Sequence, residues 1–251
     1  MMNRHPKGLY VLFFTEMWER FGFYLLSALM IFYLTERMQF SEQRAAGWVG
    51  NYMALVYLAP FFGGLIADRW LGYRRAVLIG AALLSVGYFT LALDSSLGLY
   101  LSVFFLVLGN GLFKPNISTQ VGMLYPPGDR RRDAAFSIFY LGINLGALVA
   151  PFLGELVRQR WGFPAAFAVA GVGMIVSMVI FASFHHHIAS TQTRPSVSGE
   201  FVTPLPFEYE DPRVPPAVEK KVSRRYSSSV ASSCCFGWPS SRTPSRSACG
   251  R

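Results

Sequence analysis

Charge is scarce in this sequence. Asp, Glu, Lys and Arg make up only 15% of its 251 residues, against about 25% in an ordinary soluble domain. With 52% apolar and 16% aromatic residues, the composition argues against a water-soluble globule. Cysteine is thin as well. Cys234, Cys235 and Cys249 all lie near the C-terminus, and two adjacent cysteines plus a distant one match neither a zinc spacing nor a Cys-x-x-Cys redox pair. Of four histidines, three are consecutive, His185-His186-His187, and three neighbours at a helix end cannot all face one ion. No nucleophile-and-base pair accompanies them. The expectation is therefore no metal, no catalytic residue and no enzyme. A cleavable leader is also missing: Arg4 and Lys7 precede an apolar stretch that is too long and lacks an Ala-x-Ala-like site, so it reads as a retained first helix.

Present instead are long apolar runs. Six segments lie near the roughly 20 residues that span a bilayer core: Leu9 to Leu34, Trp48 to Ile66, Ala76 to Leu93, Leu97 to Met123, Phe136 to Val157 and Phe163 to Phe184. Short turns such as Asp94-Ser95-Ser96 and Pro126-Pro127-Gly128-Asp129 join them, which makes neighbours antiparallel. The mean hydropathy is only +0.33 because Thr191 to Arg251 are rich in Ser, Pro and Arg.

The net charge of +9 sits in short clusters between apolar segments and in the tail, the pattern of membrane topology and not of a nucleic-acid binder. Arg4, Lys7, Arg69, Arg74, Arg75, Arg130, Arg131 and Arg132 fall on one side; Arg37, Arg44, Arg158 and Arg160 fall on the other. Positively charged loops stay cytoplasmic, so the expected protein is multi-pass in the cytoplasmic (inner) membrane with its N-terminus inside. The lipid bilayer is its expected surroundings. Small residues spread through the helices, as in Gly109-Asn110-Gly111 and, at four-residue spacing, Gly142 and Gly146, are expected to let helices approach closely.

The first segment carries Glu16, Glu19 and Arg20 within one and a half turns. Each costs about 2.5–3.5 kcal/mol at the bilayer centre unless paired or hydrated, so none faces lipid. At about 100° per residue they share one stripe with Phe23, Tyr24 and Ser27. Glu16 and Arg20 stand at the i,i+4 pairing distance. Two readings stay open: a structural ion pair, or a water-accessible cavity in which a carboxylate takes up and releases a proton. Lys114 lies well inside the fourth segment, with Asn110 and Ser118 one turn away. It needs a carboxylate partner, either Glu16 or Glu19 or one brought by a substrate. Ser137, Tyr140 and Asn144 form a further polar stripe, and Tyr57 precedes Pro60. After the second segment, Gly63 to Arg75 reads as a cytoplasmic clasp built on Asp68, Arg69, Arg74 and Arg75.

These segments resemble a known family. Gly63 to Arg75 is similar to the loop motif G-G-x-x-A-D-R-x-x-G-x-R-R of the major facilitator superfamily. Glu16-Met17-Trp18-Glu19-Arg20-Phe21, Gly109 to Thr119 and Phe139 to Ala147 resemble, more narrowly, the proton-dependent oligopeptide transporter (POT) family. The resemblance implies an all-α transmembrane fold, a six-helix N-terminal half of a major facilitator bundle over residues 1–188. It also implies symport of di- and tripeptides with protons by alternating access, with protons as coupling ion and no cofactor. Carried over by motif, Glu16, Glu19 and Arg20 would be the proton-linked cluster. Lys114 would bind the peptide carboxylate or pair with the cluster, and Tyr24, Tyr57 and Asn144 would line the peptide site. Phe23 and Ser27 depart from the pattern, where many members have Tyr and Arg. The partners implied are small peptides and either a second half or another copy.

Residues 189–251 are expected to be a disordered cytoplasmic tail, since such composition cannot bury a core. Back-translated and read from the third base of each codon, Trp238 to Arg251 permits Ala-Phe-Phe-Gln-Asn-Ala-Phe-Thr-Leu-Gly-Leu-Trp-Ala, which resembles the seventh helix of the POT family. Val222 to Gly237 becomes largely apolar in the same frame. Serine codons of the TCN type supply some of that character automatically, but not the Phe-Phe-Gln-Asn order. The chain is thus expected to leave its ancestral frame near residue 222, and alone to be unable to complete a transport cycle. The rival expectation is a non-transporting membrane module acting through oligomerisation or a partner.

Overall fold

A computed structural model describes residues 5–126 and 128–188. The expectations for residues 189–251, the frame change and all three cysteines among them, lie outside the described residues. The described chain is all-helical: α1 Lys7–Phe32, α2 Glu42–Ile66, α3 Tyr73–Leu91, α4 Ser96–Met123 and α5 Arg131–Phe184. Wide π turns extend α1 over Tyr33–Arg37 and α2 over Ala67–Leu71.

Local chemistry sets the ends. Ser41 and Ser95 cap α2 and α4, their hydroxyls accepting from the backbone N–H of Arg44 (3.4 Å) and Gly98 (3.0 Å). The cap at Ser41 starts α2 six residues before the apolar segment does, so the polar turn after Glu42 is helical too. Gly72, at φ 73°, turns the chain from α2 into α3. The two apolar segments between Phe136 and Phe184 appear as one helical run broken at Gly162, whose φ of 84° and ψ of 178° lie outside any helix. Pro164 follows it. The result is two arms, residues 131–161 and 163–184.

Among the described residues, four helical stretches are long and apolar enough to cross a membrane on length and composition: Glu42–Leu71, Tyr73–Leu91, Ser96–Met123 and Arg131–His187. Glu16, Glu19 and Arg20 lower the hydropathy of α1. Large apolar side chains are exposed along α2 (Tyr57, Phe61, Phe62) and α5 (Leu148, Phe152, Leu156). Faces of this extent do not persist in water.

The core lies along α1, which packs against both arms of α5. Gly142 and Gly146 meet Phe13 and Met17 on one side; Gly173 meets Trp18 on the other, and Ser177 Oγ donates to Thr15 O at 2.7 Å. α4 is flanked by α2 and α3. A Cβ on Gly63 would overlap the carbonyl of Gly111. That carbonyl has lost its helical donor because Pro115, four residues on, has no N–H. The glycines thus act in helix packing, as their spacing suggests.

Opposite ends of the bundle gather different loops. At one end Arg74 Nη2 donates to the carbonyls of His185 (2.9 Å) and Ile188 (3.3 Å), and His5 Nδ1 shares a hydrogen bond with the Tyr125 hydroxyl (2.8 Å). At the other, Arg37 donates to Asp94 (2.6 Å) and Arg158 to Glu36 (3.0 Å).

Candidate functional site

The site is built from α1 outward. Glu16, Glu19 and Arg20 are 2%, 1% and 4% exposed. Three charges so deep persist only by pairing, and they do pair. Arg20 Nη2 donates to Glu19 Oε1 at 2.7 Å, and Arg20 Nε lies 3.2 Å from Glu16 Oε1, the i,i+4 contact expected from the spacing. The Phe23 ring centroid lies 4.9 Å from the guanidinium carbon. Gly146 of α5 leaves room for the Arg20 stem, since a Cβ there would come within 3.2 Å of Arg20 Cβ. One atom is left over: Glu16 Oε2 is buried with no hydrogen-bond partner among the described residues.

Two residues that the sequence reading passed over close this cluster. Tyr52 of α2 and Tyr88 of α3, both buried, lie within electrostatic reach of Glu19 and Arg20. Tyr88 reaches α1 because Gly22 has no side chain, and a Cβ there would meet the tyrosine hydroxyl at 3.0 Å. Gly22 inside an otherwise bulky helix was the available signal, but a gap names no partner.

Lys114 stands on α4, half-buried. Its ammonium lies over the Tyr57 ring, 5.4 Å from the centroid. It forms no ion pair within 4 Å among the described residues, yet Glu16, Glu19 and Arg20 all act on it electrostatically. Both glutamates are instead taken up by Arg20. Two carboxylates and two cations therefore balance, with Lys114 the more accessible cation. Ser118 Oγ turns back on the Lys114 carbonyl at 3.2 Å.

Tyr24 is half-buried, edge-on to Phe23 at 5.3 Å between centroids. Tyr57, Tyr140 and Asn144 are exposed on α2 and α5, and the structure brings Tyr57 to Lys114. Ser27 Oγ donates to the Phe23 carbonyl at 2.8 Å, which occupies its hydrogen.

The clasp divides its work. Asp68 lies within electrostatic reach of the Tyr73 side chain, Arg74 reaches the end of α5, and Arg69 and Arg75 are exposed.

Comparison with known proteins follows the same lines. The model of the POT family matches residues 74–220. The peptide transporter YePEPT of Yersinia enterocolitica is 42% identical over 188 residues, 72% of this chain and 37% of that protein. The di-/tripeptide transporter of Lactococcus lactis is 38% identical over 208 residues, 80% of this chain and 41% of that protein. Among solved structures, a POT peptide transporter in complex with sulfate matches with TM-score 0.71 and 37% identity, over 93% of this chain and 46% of that one. A POT family transporter in complex with 5-aminolevulinic acid matches with TM-score 0.72 and 35% identity, with the same coverage. The chain thus spans about 37–41% of the length of these curated relatives. Its membrane-length apolar helices and these relatives make it a multi-pass membrane protein, and with more than half of its length matched by the family's own model, the chain belongs to the POT family.

Proposed function

We propose that this chain supplies six membrane spans, residues 1–188, to a transporter that moves di- and tripeptides inward together with protons. The observation that carries this reading is the buried Glu16–Glu19–Arg20 cluster on α1, facing the accessible Lys114 of α4. A carboxylate held by a guanidinium releases it on protonation, and the cation then seeks another anion. Lys114, lying over Tyr57 with no carboxylate of its own within 4 Å, is the cation placed to take a peptide C-terminus. Tyr24, Tyr57 and Asn144 line the path of the peptide in this reading.

The α5 break at Gly162 supplies the fifth and sixth spans. The arginines of the Asp68–Arg75 clasp and of residues 130–132 put that end of the bundle, and the N-terminus, in the cytoplasm. Names of the relatives support peptides as cargo. The coupling ion is the proton, and no cofactor takes part. The test is gradient-driven accumulation of a labelled dipeptide by proteoliposomes carrying the full-length gene product. Accumulation that a protonophore abolishes is expected; uptake indifferent to the gradient contradicts the reading.

A further inference from the structure

We propose that Asn110 is a positioning residue whose side-chain amide links the Lys114 ammonium to the Glu16 carboxylate, a role that rests on the proton-coupled reading above. Asn110 is 2% exposed, and neither its Oδ1 nor its Nδ2 has a hydrogen-bond partner among the described residues. An amide with both ends unpaired in an interior is costly, and one that persists calls for an explanation.

Its place on α4 supplies one. Gly109 faces Leu84 and Gly80 of α3, and Gly111 faces Ala59 of α2. At about 100° per residue Asn110 projects between those two contacts, toward the interior. α3 sets the height: Leu84 lies against Gly109, and Tyr88, one turn on, lies against Gly22 of α1. Asn110 therefore stands near the level of the Glu16–Arg20 turn, one turn along α4 from Lys114.

The unpaired atoms are complementary. Glu16 Oε2 is a buried acceptor without a donor, and Lys114 is a donor whose contact is a ring face. In the link, Asn110 Nδ2 donates to Glu16 Oε2 and Asn110 Oδ1 accepts from Lys114 Nζ. An ionised carboxylate only accepts. When a proton from water binds Glu16 Oε2, that oxygen becomes an O–H donor: it gives up the Asn110 Nδ2 bond and donates to Asn110 Oδ1, the Asn110 Oδ1 bond to Lys114 Nζ is displaced, and Lys114 is free for a peptide carboxylate. The contact of Arg20 Nε with Glu16 Oε1 weakens with the same loss of charge. The titratable groups acting on Glu16 are Glu19 and Arg20 on its own helix and Lys114 on α4. Tyr52 of α2 and Tyr88 of α3 stand around Glu19 and Arg20, and α5 brings Gly142 and Gly146 against α1.

The test is thermal unfolding of the full chain in detergent at pH 8 and pH 5, for wild type, Asn110→Leu, Glu16→Met and the double variant. At pH 8, Asn110→Leu is expected to lower Tm by about 3–8 °C, and by less than half as much when Glu16 is Met or when the pH is 5. Equal losses in both backgrounds and at both pH values make Asn110 a packing residue and overturn the proposal. Should Asn110→Leu fail to fold, Asn110→Asp keeps the shape and replaces the donor by an acceptor. It must lower Tm more at pH 8 than at pH 5, and a pH-independent loss overturns the proposal equally. Dipeptide uptake by wild type tests the transport reading separately: its absence removes that reading, while the variant cycle still reports on the link.

Discussion

Arg20 holds Glu19 through its Nη2, 2.7 Å from Oε1, and at the same time keeps its Nε 3.2 Å from Glu16 Oε1. One guanidinium thus serves two carboxylates in a site almost closed to solvent. Removing it strands both anions. Arg20→Met is expected to destabilise the fold by about 3–5 kcal/mol at pH 8, read as loss of monodisperse protein in detergent. Unchanged Tm would mean that the carboxylates are solvated in place.

Gly63 and Gly111 set the α2–α4 distance, because a Cβ on Gly63 would overlap the Gly111 backbone. Gly63→Ala is expected to cost about 1–3 kcal/mol, since neither backbone can yield. Gly47, in the same helix with open space around it, is the control. Gly47→Ala should leave stability unchanged or raise it by about 0.5–1 kcal/mol, and Tm of the two variants side by side decides the matter.

Tyr57 touches Lys114 through its ring, not its hydroxyl. Tyr57→Phe should therefore keep dipeptide affinity within about threefold, while Tyr57→Leu weakens it by roughly 0.5–2 kcal/mol. Equal losses for Phe and Leu in a binding titration would place the hydroxyl, not the ring, at the peptide.

Asp129 opens α5: its Oδ1 accepts from the Arg131 backbone N–H at 2.9 Å, and its carboxylate is hydrogen-bonded by the Arg131 guanidinium. Those bonds favour the charged form and hold its pKa below the ordinary carboxylate value. The stabilisation is therefore present above the unfolded value of about 3.9 and is lost as the pH falls through the lower folded value. Amide exchange at the first turn of α5 should be faster in Asp129→Asn than in wild type at pH 7, with the difference closing in acid.

Much of this was legible because membrane burial makes charge conspicuous. Glu16, Glu19 and Arg20 stand out in an apolar helix, and the i,i+4 spacing already pairs Glu16 with Arg20. Glycine spacing likewise announced close helix contacts. Tyr52 and Tyr88 were hidden, since an aromatic ring in a transmembrane segment looks like packing until another helix is placed against it. The division of Phe136 to Phe184 into two segments met a helix that stops for one residue only. The hydropathy pattern placed the division between Val157 and Phe163, where Gly162 interrupts the helix; what it did not register is that the interruption is a single residue and not a loop. The partners of Lys114 and Arg74 are a ring face and backbone carbonyls, and neither leaves a trace in charge pairing.

The central claim is that the α1 carboxylates couple protons to peptide movement, and Glu19→Gln in the full-length protein tests it most directly. Gln keeps the shape of the site and cannot carry the charge. Proteoliposomes with this variant are expected to lose proton-driven accumulation of a dipeptide by at least about tenfold while still exchanging labelled for unlabelled peptide across the membrane. Accumulation at the wild-type level would contradict the role assigned to Glu19.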